Sequence, residues 1–182
     1  MTMLPSRRPA EMPRFTRAVL IFNPAARRMQ AQRGRLLERV LAGLAAEGLN
    51  VQVTPTTGPG DATRLAREAL AARSDLLVAC GGDGTVNEVV GGAAGSDVPL
   101  LVIPGGTSNV LAREIGLPRD LVAGATLLRK GAIRRISLGR AGDRRFVLMA
   151  GVGVDAGIVA ASNSRLKCYL GEGAFWLAGF QQ

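Results

Sequence analysis

The stretch Leu76-Leu77-Val78-Ala79-Cys80-Gly81-Gly82-Asp83-Gly84-Thr85-Val86-Asn87-Glu88 sets the reading of the whole chain. An apolar run ended by glycines is a buried strand leaving a sheet. Gly81, Gly82 and Gly84 permit backbone angles and close approaches that a Cβ would forbid. Thr85 followed three residues later by Glu88 has the spacing of a capping box, which predicts a helix starting there. A strand, a glycine turn and a helix N-terminus leave unpaired N–H groups in one small space, and such a space favours phosphate. Asp83, a carboxylate in a loop otherwise suited to anions, makes sense if a divalent cation or a hydroxyl is also held there. A plain glycine-rich turn with a solvated Asp is the competing interpretation, and the rest of the chain has to separate the two.

Upstream, residues 1–16 carry Pro5, Pro9 and Pro13 without periodicity and are expected to be a flexible leader. Ala18–Phe22 is expected to be a buried strand stopped by Asn23-Pro24. Leu36, Leu37, Val40, Leu41 and Leu44 form the stripe of an amphipathic helix from about Ala31 to Glu47, with Gly48 as its C-terminal cap. Leu49–Thr54 is a second strand, and Asp61 is expected to cap a helix reaching about Arg73. Downstream, Leu100–Ile103 is a fourth strand with the exit loop Pro104-Gly105-Gly106-Thr107-Ser108-Asn109. Helices follow over Val110–Ile115 and from Pro118 to Gly131. Strands that alternate with helices and are too apolar to have a wet face predict an α/β fold with a parallel sheet covered on both sides. Ligands of such sheets sit at the carboxyl ends of the strands. Those ends here carry Asn23, Thr56, Gly81–Thr85 and Gly105–Asn109.

The pattern changes after Gly131. Ile133–Leu138 and Phe146–Ala150, flanking the turn Gly139–Asp143, predict a hairpin opening a β-rich unit over 132–182. Gly151-Val152-Gly153-Val154-Asp155-Ala156-Gly157 has the wrong spacing for a dinucleotide-binding loop. The second unit looks cut short, because two or three strands and a helix do not close a β layer. The apolar segment Ala174–Phe180 reads as a core helix left without its strands, with contact to a membrane as the alternative.

Composition narrows the chemistry. The 182 residues are 47% hydrophobic but only 4% aromatic, so Leu, Val, Ile and Ala must fill the core. Lys and Arg number 23 against 14 acidic residues, a formal charge of +9 that suits an anionic partner or reflects nothing more than an arginine-rich composition. The arginines are scattered, which argues against nucleic acid. The absence of histidine excludes Ser-His-Asp and Cys-His catalysis and His-ligated zinc. Cys80 and Cys168 make neither a CxxC motif nor a disulfide framework. No run approaches the ~20 apolar residues that span a bilayer.

Gly81–Glu88 and Pro104–Asn109 together resemble the diacylglycerol kinase-like lipid kinases, a family that includes the sphingosine and ceramide kinases. Asn23-Pro24, Thr56 before Gly60-Asp61-Ala62, and Ala112-Arg113 extend the likeness from Ala18 to the end of the chain. The Gly-Gly-Asp-Gly signature alone is shared with NAD kinases and phosphofructokinases, and the Pro-Gly-Gly-Thr-Ser-Asn partner points to lipid kinases. The resemblance implies an ATP-binding α/β unit over 17–131 of the NAD kinase/diacylglycerol kinase type, followed by part of a lipid-binding unit. It implies that Asn23, Thr56, Gly82, Asp83, Gly84, Thr85, Val86, Asn87, Glu88 and Thr107 contact the nucleotide. Asp83 would position phosphate directly or through Mg²⁺, and Asp155 would face the lipid substrate. The expected partner is a lipid at a membrane surface, reached by a cytoplasmic, peripheral enzyme, with a homodimer as one option for its assembly. Ala26-Arg27 departs from the family's Ser-Gly, with Arg27 able to reach a phosphate. The family's C-terminal Asp-Gly-Glu base is not in this sequence. Two alternatives therefore stand: an NAD kinase-type enzyme, and a non-catalytic nucleotide- or lipid-binding fragment.

Overall fold

The computed structural model describes residues 15–31, 35–118, 120–125 and 127–147. Four strands, β1 (Arg17–Phe22), β2 (Asn50–Pro55), β3 (Leu76–Gly81) and β4 (Leu100–Pro104), form one parallel sheet in the order β2-β1-β3-β4. Each was expected within a residue of its observed bounds, because an apolar run between Gly, Pro and Asn has little choice of ends. The helices are α1 (Arg27–Ala31), α2 (Arg35–Ala46), α3 (Asp61–Ala71), α4 (Asp83–Ala93), α5 (Val110–Glu114), α6 (Leu121–Ala125) and α7 (Leu127–Lys130).

Successive strand residues point to opposite faces, and both faces are covered. Ala18 and Leu20 of β1, with Leu76 and Val78 of β3, pack on Val40 and Leu44 of α2 and Ala125 of α6. Val19 and Ile21, with Leu77 and Ala79, pack on Ala62, Leu65 and Ala66 of α3 and Val86 and Val89 of α4. Burial is complete at the centre: Leu20, Ile21, Leu77 and Val78 are 0% exposed. β2 departs from the expectation of strands without a wet face. It is one of the two outer strands, and Val53 is 37% exposed.

Three local readings are corrected. Asp61 is the first residue of α3 rather than its cap; the cap is Gly60, at φ +84°. Its carboxylate instead accepts the N–H and hydroxyl of Thr57 (2.9 and 3.0 Å) and pairs with Arg64. The Thr57 N–H first, and Arg64 second, hold its carboxyl below the usual range. Likewise α4 begins at Asp83, two residues before the expected start, with extended Gly82 as its cap. The hairpin exists but is tighter than expected. Gly139–Ala141 (β5) pairs antiparallel with Arg144–Phe146 (β6), so three residues assigned to the turn form the first strand. The turn is Gly142-Asp143 with Gly142 at φ +59°; a glycine supplies the positive φ that a two-residue hairpin connection needs. Residues 133–138 form no strand. The leader through residue 14, the Gly151–Gly157 run, Asp155 and Ala174–Phe180 lie outside the described residues.

Candidate nucleotide site

Because the four strands are parallel, their exits share one edge of the sheet. The register sets Phe22 beside Pro55 and Cys80, and Gly81 beside Pro104. Backbone bonds continue past the strands: Asn23 N–H to Cys80 O (3.0 Å), Thr56 N–H to Phe22 O (2.9 Å) and Gly105 N–H to Gly81 O (2.8 Å). The exit loops are therefore an extension of the sheet, and their positions are fixed by it.

The two glycine loops cross at Gly82 and Gly106. A Cβ on Gly106 would collide with the Cα of Gly82, and one on Gly105 would press on the Gly81 backbone. A Cβ on Gly81 would strike the Thr85 side chain at 2.6–2.9 Å. Around Gly84 there is open space. Glycine is thus required at 81 and 106 for packing, while Gly84 leaves room for a ligand over the first turn of α4. At that turn the N–H groups of Asp83, Gly84 and Thr85 precede the first intrahelical bond, Val86 N–H to Gly82 O (3.1 Å), and have no helical acceptor.

The polar side chains of this motif reach into other parts of the fold. Asn23 Oδ1 accepts the Ala25 N–H (2.8 Å), closing its own turn, while its Nδ2 donates to Thr85 Oγ1 (3.4 Å). Asp83 Oδ1 accepts the Val110 N–H at the start of α5 (2.6 Å). Asn87 Oδ1 accepts the Val147 N–H beyond β6 (3.0 Å). Glu88 accepts the Gly60 N–H on Oε1 (2.9 Å) and the Ala62 N–H on Oε2 (3.2 Å). The expected Thr85–Glu88 capping box does not form: Thr85 is buried inside α4, and Glu88 caps α3 instead. Asn109, at φ +45°, closes the second loop on itself by accepting the Gly106 N–H and donating to Gly106 O, both 2.9 Å.

Asn23, the Gly82–Glu88 segment and the Gly105–Asn109 loop are brought together. Thr56 and Thr107 flank them from the two outer strands. At ~4.8 Å per strand, three spacings separate those threonines by roughly 14 Å, so only an extended ligand could touch both. Arg27 is exposed at the start of α1, whereas its neighbour Arg28, not singled out from sequence, donates to Pro104 O (3.1 Å) and lines a groove of about 470 Å³ with Thr107, Ser108 and Arg113. Two adjacent arginines offered no signal to choose between them. Among the described residues no three His, Cys, Asp or Glu side chains cluster to hold a metal ion. Asp83 can offer one carboxylate oxygen, which fits Mg²⁺ arriving on substrate phosphates rather than in a protein cage. Also among the described residues, no helix is long and apolar enough to cross a membrane.

Comparisons with known proteins bear on the fold and the family. The diacylglycerol kinase catalytic domain family matches residues 17–141. The diacylglycerol kinase of Bacillus subtilis (strain 168) is 38% identical over 168 residues, covering 91% of this chain and 55% of that protein. A protein of Pseudomonas fluorescens named "Probable lipid kinase YegS-like" is 39% identical over 139 residues, covering 75% and 46%. Two solved Bacillus anthracis str. Sterne structures, one described as "a putative diacylglycerol kinase" and the other as "a diacylglycerol kinases", superpose with TM-scores of 0.74 (29% identity, 93% of this chain, 56% of that one) and 0.63 (32%, 74% and 49%) respectively. The chain spans about half the length of the curated relatives it matches. The α/β expectation, a parallel-sheet unit of the NAD kinase/diacylglycerol kinase type, is met. The chain belongs to the diacylglycerol kinase catalytic domain family.

Proposed function

We propose that residues 17–131 form the ATP-binding unit of a lipid kinase that transfers the γ-phosphoryl group to a lipid hydroxyl, diacylglycerol or a close relative. The observation carrying this reading is the crossing of the glycine loops at Gly82 and Gly106 beneath the open N-terminal turn of α4. Backbone N–H groups there donate to phosphate oxygens without a side chain intervening. When bound, Mg²⁺–ATP supplies the transferable phosphoryl group and a cation that offsets its charge.

The chain's own residues position that group. Asp83 holds α5 with one oxygen, and its other oxygen would hold the metal that arrives with the phosphates. Asn23 and Thr85 fix the inner wall, and Thr56 and Thr107 bracket the nucleotide along the sheet edge. Catalysis then rests on positioning and electrostatics, as in other phosphoryl transfers. Residues 132–182 would begin the lipid-binding unit, with Asp155 on its substrate side. Such an enzyme would act from the cytoplasm on a membrane surface. Titration of the chain with Mg²⁺–ATP tests the nucleotide site. Transfer from labelled ATP to diacylglycerol vesicles tests the activity. Saturable binding abolished by Asp83→Ala is expected; binding of a nicotinamide dinucleotide in preference to ATP would replace this reading with the NAD kinase one.

A further inference from the structure

Resting on the ATP site proposed above, we infer that Glu88 is a positioning residue: it clamps the exit loop of β2 to the glycine-loop helix and does not itself bind the nucleotide. α3 begins at Asp61 behind the N-cap Gly60, which has no side chain to cap it. The acceptor its first turn needs comes from a residue 28 positions away, and both oxygens of that carboxylate are engaged, one by Gly60 and one by Ala62. The same helix pair is closed further along. Thr63 Oγ1 donates to the backbone O of Glu88 (3.0 Å), and Gly92 lets α4 approach until a Cβ there would lie 2.5 Å from Thr63 O.

Thr56 sits only four residues before Gly60, on the loop this clamp holds. The sheet fixes the start of that loop through the Thr56 N–H, and Glu88 fixes its end. Asp61 ties the middle back through Thr57. A carboxylate with both oxygens committed to backbone N–H groups is also poorly placed to meet a triphosphate, which it would repel. Glu88 therefore acts on the nucleotide through the loop.

The test uses the full chain and Mg²⁺–ATP, with the variants Glu88→Ala and Glu88→Gln. Gln keeps the shape but only one acceptor, and it preserves the test should Ala fail to fold. In nucleotide-free protein, amide exchange at Gly60 and Ala62 should quicken about tenfold in the Ala variant and less in the Gln variant. The ATP dissociation constant should rise about five- to twentyfold for Ala, with Gln between, and kcat should change less than KM. Faster exchange with unchanged ATP affinity would overturn the positioning role. Weakened affinity with unchanged exchange would make Glu88 a direct ligand and overturn it equally. If the unsubstituted chain shows no saturable ATP binding, the site itself falls and this inference with it, even where the exchange data support the clamp.

Discussion

Asp83 Oδ1 accepts the backbone N–H of Val110 at 2.6 Å, so the acidic residue of the glycine loop also starts the helix that follows the other loop. One side chain thus couples the two halves of the proposed phosphate cradle. Its structural and chemical duties can be separated by substitution.

Asp83→Asn retains an acceptor for Val110 and should cost under about 1 kcal/mol of stability. It removes the charge, and Mg²⁺–ATP affinity should fall at least about tenfold. Asp83→Ala loses both, with a further stability loss of about 1–3 kcal/mol. Urea unfolding alongside ATP titration of both variants checks the split; equal stability in the two would show that the Val110 bond is not maintained.

Neighbouring glycines of α4 should respond oppositely to alanine. At Gly91 a Cβ would meet only Arg145 O at 3.9 Å, and better helix propensity should stabilise by up to about 1 kcal/mol. At Gly92 the Cβ would lie 2.5 Å from Thr63 O and 2.8 Å from Ala66 Cβ. Overpacking of about 1–3 kcal/mol then outweighs the propensity gain. Thermal melts of Gly91→Ala and Gly92→Ala should move in opposite directions.

Asp75 anchors the start of β1 by accepting the Thr16 N–H (2.8 Å), the Thr16 hydroxyl (2.9 Å) and the Arg17 N–H (2.9 Å). Partial burial pushes its carboxyl up, but these donors outweigh it and leave it below the ordinary 3.8. A depressed folded value means stability present above the unfolded value and lost as pH falls through the folded one. Asp75→Asn should cost about 1 kcal/mol at pH 7, discounted for the site's exposure. The gap to the parent should close as pH drops below about 4. Unfolding series from pH 7 to pH 2 read this directly.

Cys80 lies at the end of β3, 0% exposed, its Sγ 3.9 Å from Met29 Sδ. Burial pushes the thiol up to about 12, only partly countered by Arg28. It should resist alkylation at pH 8 in the folded chain and react on unfolding, as peptide mapping of the Cys80 fragment by mass spectrometry would show. Rapid labelling of the native protein would mean that the strand end opens to solvent.

The strands and the glycine loops were legible because their causes are local. Leu76–Cys80 is apolar between a polar turn and two glycines, and only a buried strand accommodates that. The errors share a cause. Thr85–Glu88 and Asp61 carry the spacing and chemistry of helix caps, and a capping pattern does not say which helix its acceptor will serve. Glu88 found its donors on α3, and Asp61 turned back to Thr57 and Arg64. The hairpin was placed correctly but sized wrongly, because Gly142 could serve equally in a long turn or a two-residue one.

The amino-acid order by itself determined the parallel α/β core and the side of the sheet where polar loops gather, since apolar periodicity and glycine punctuation act over a few residues. Only the tertiary structure decided what Asp83, Asn87 and Glu88 hold: Val110, Val147, and Gly60 with Ala62. Those partners lie 26 to 60 residues away in sequence. A hydrogen bond across that distance exists only once packing has brought the two helices and the strand ends together.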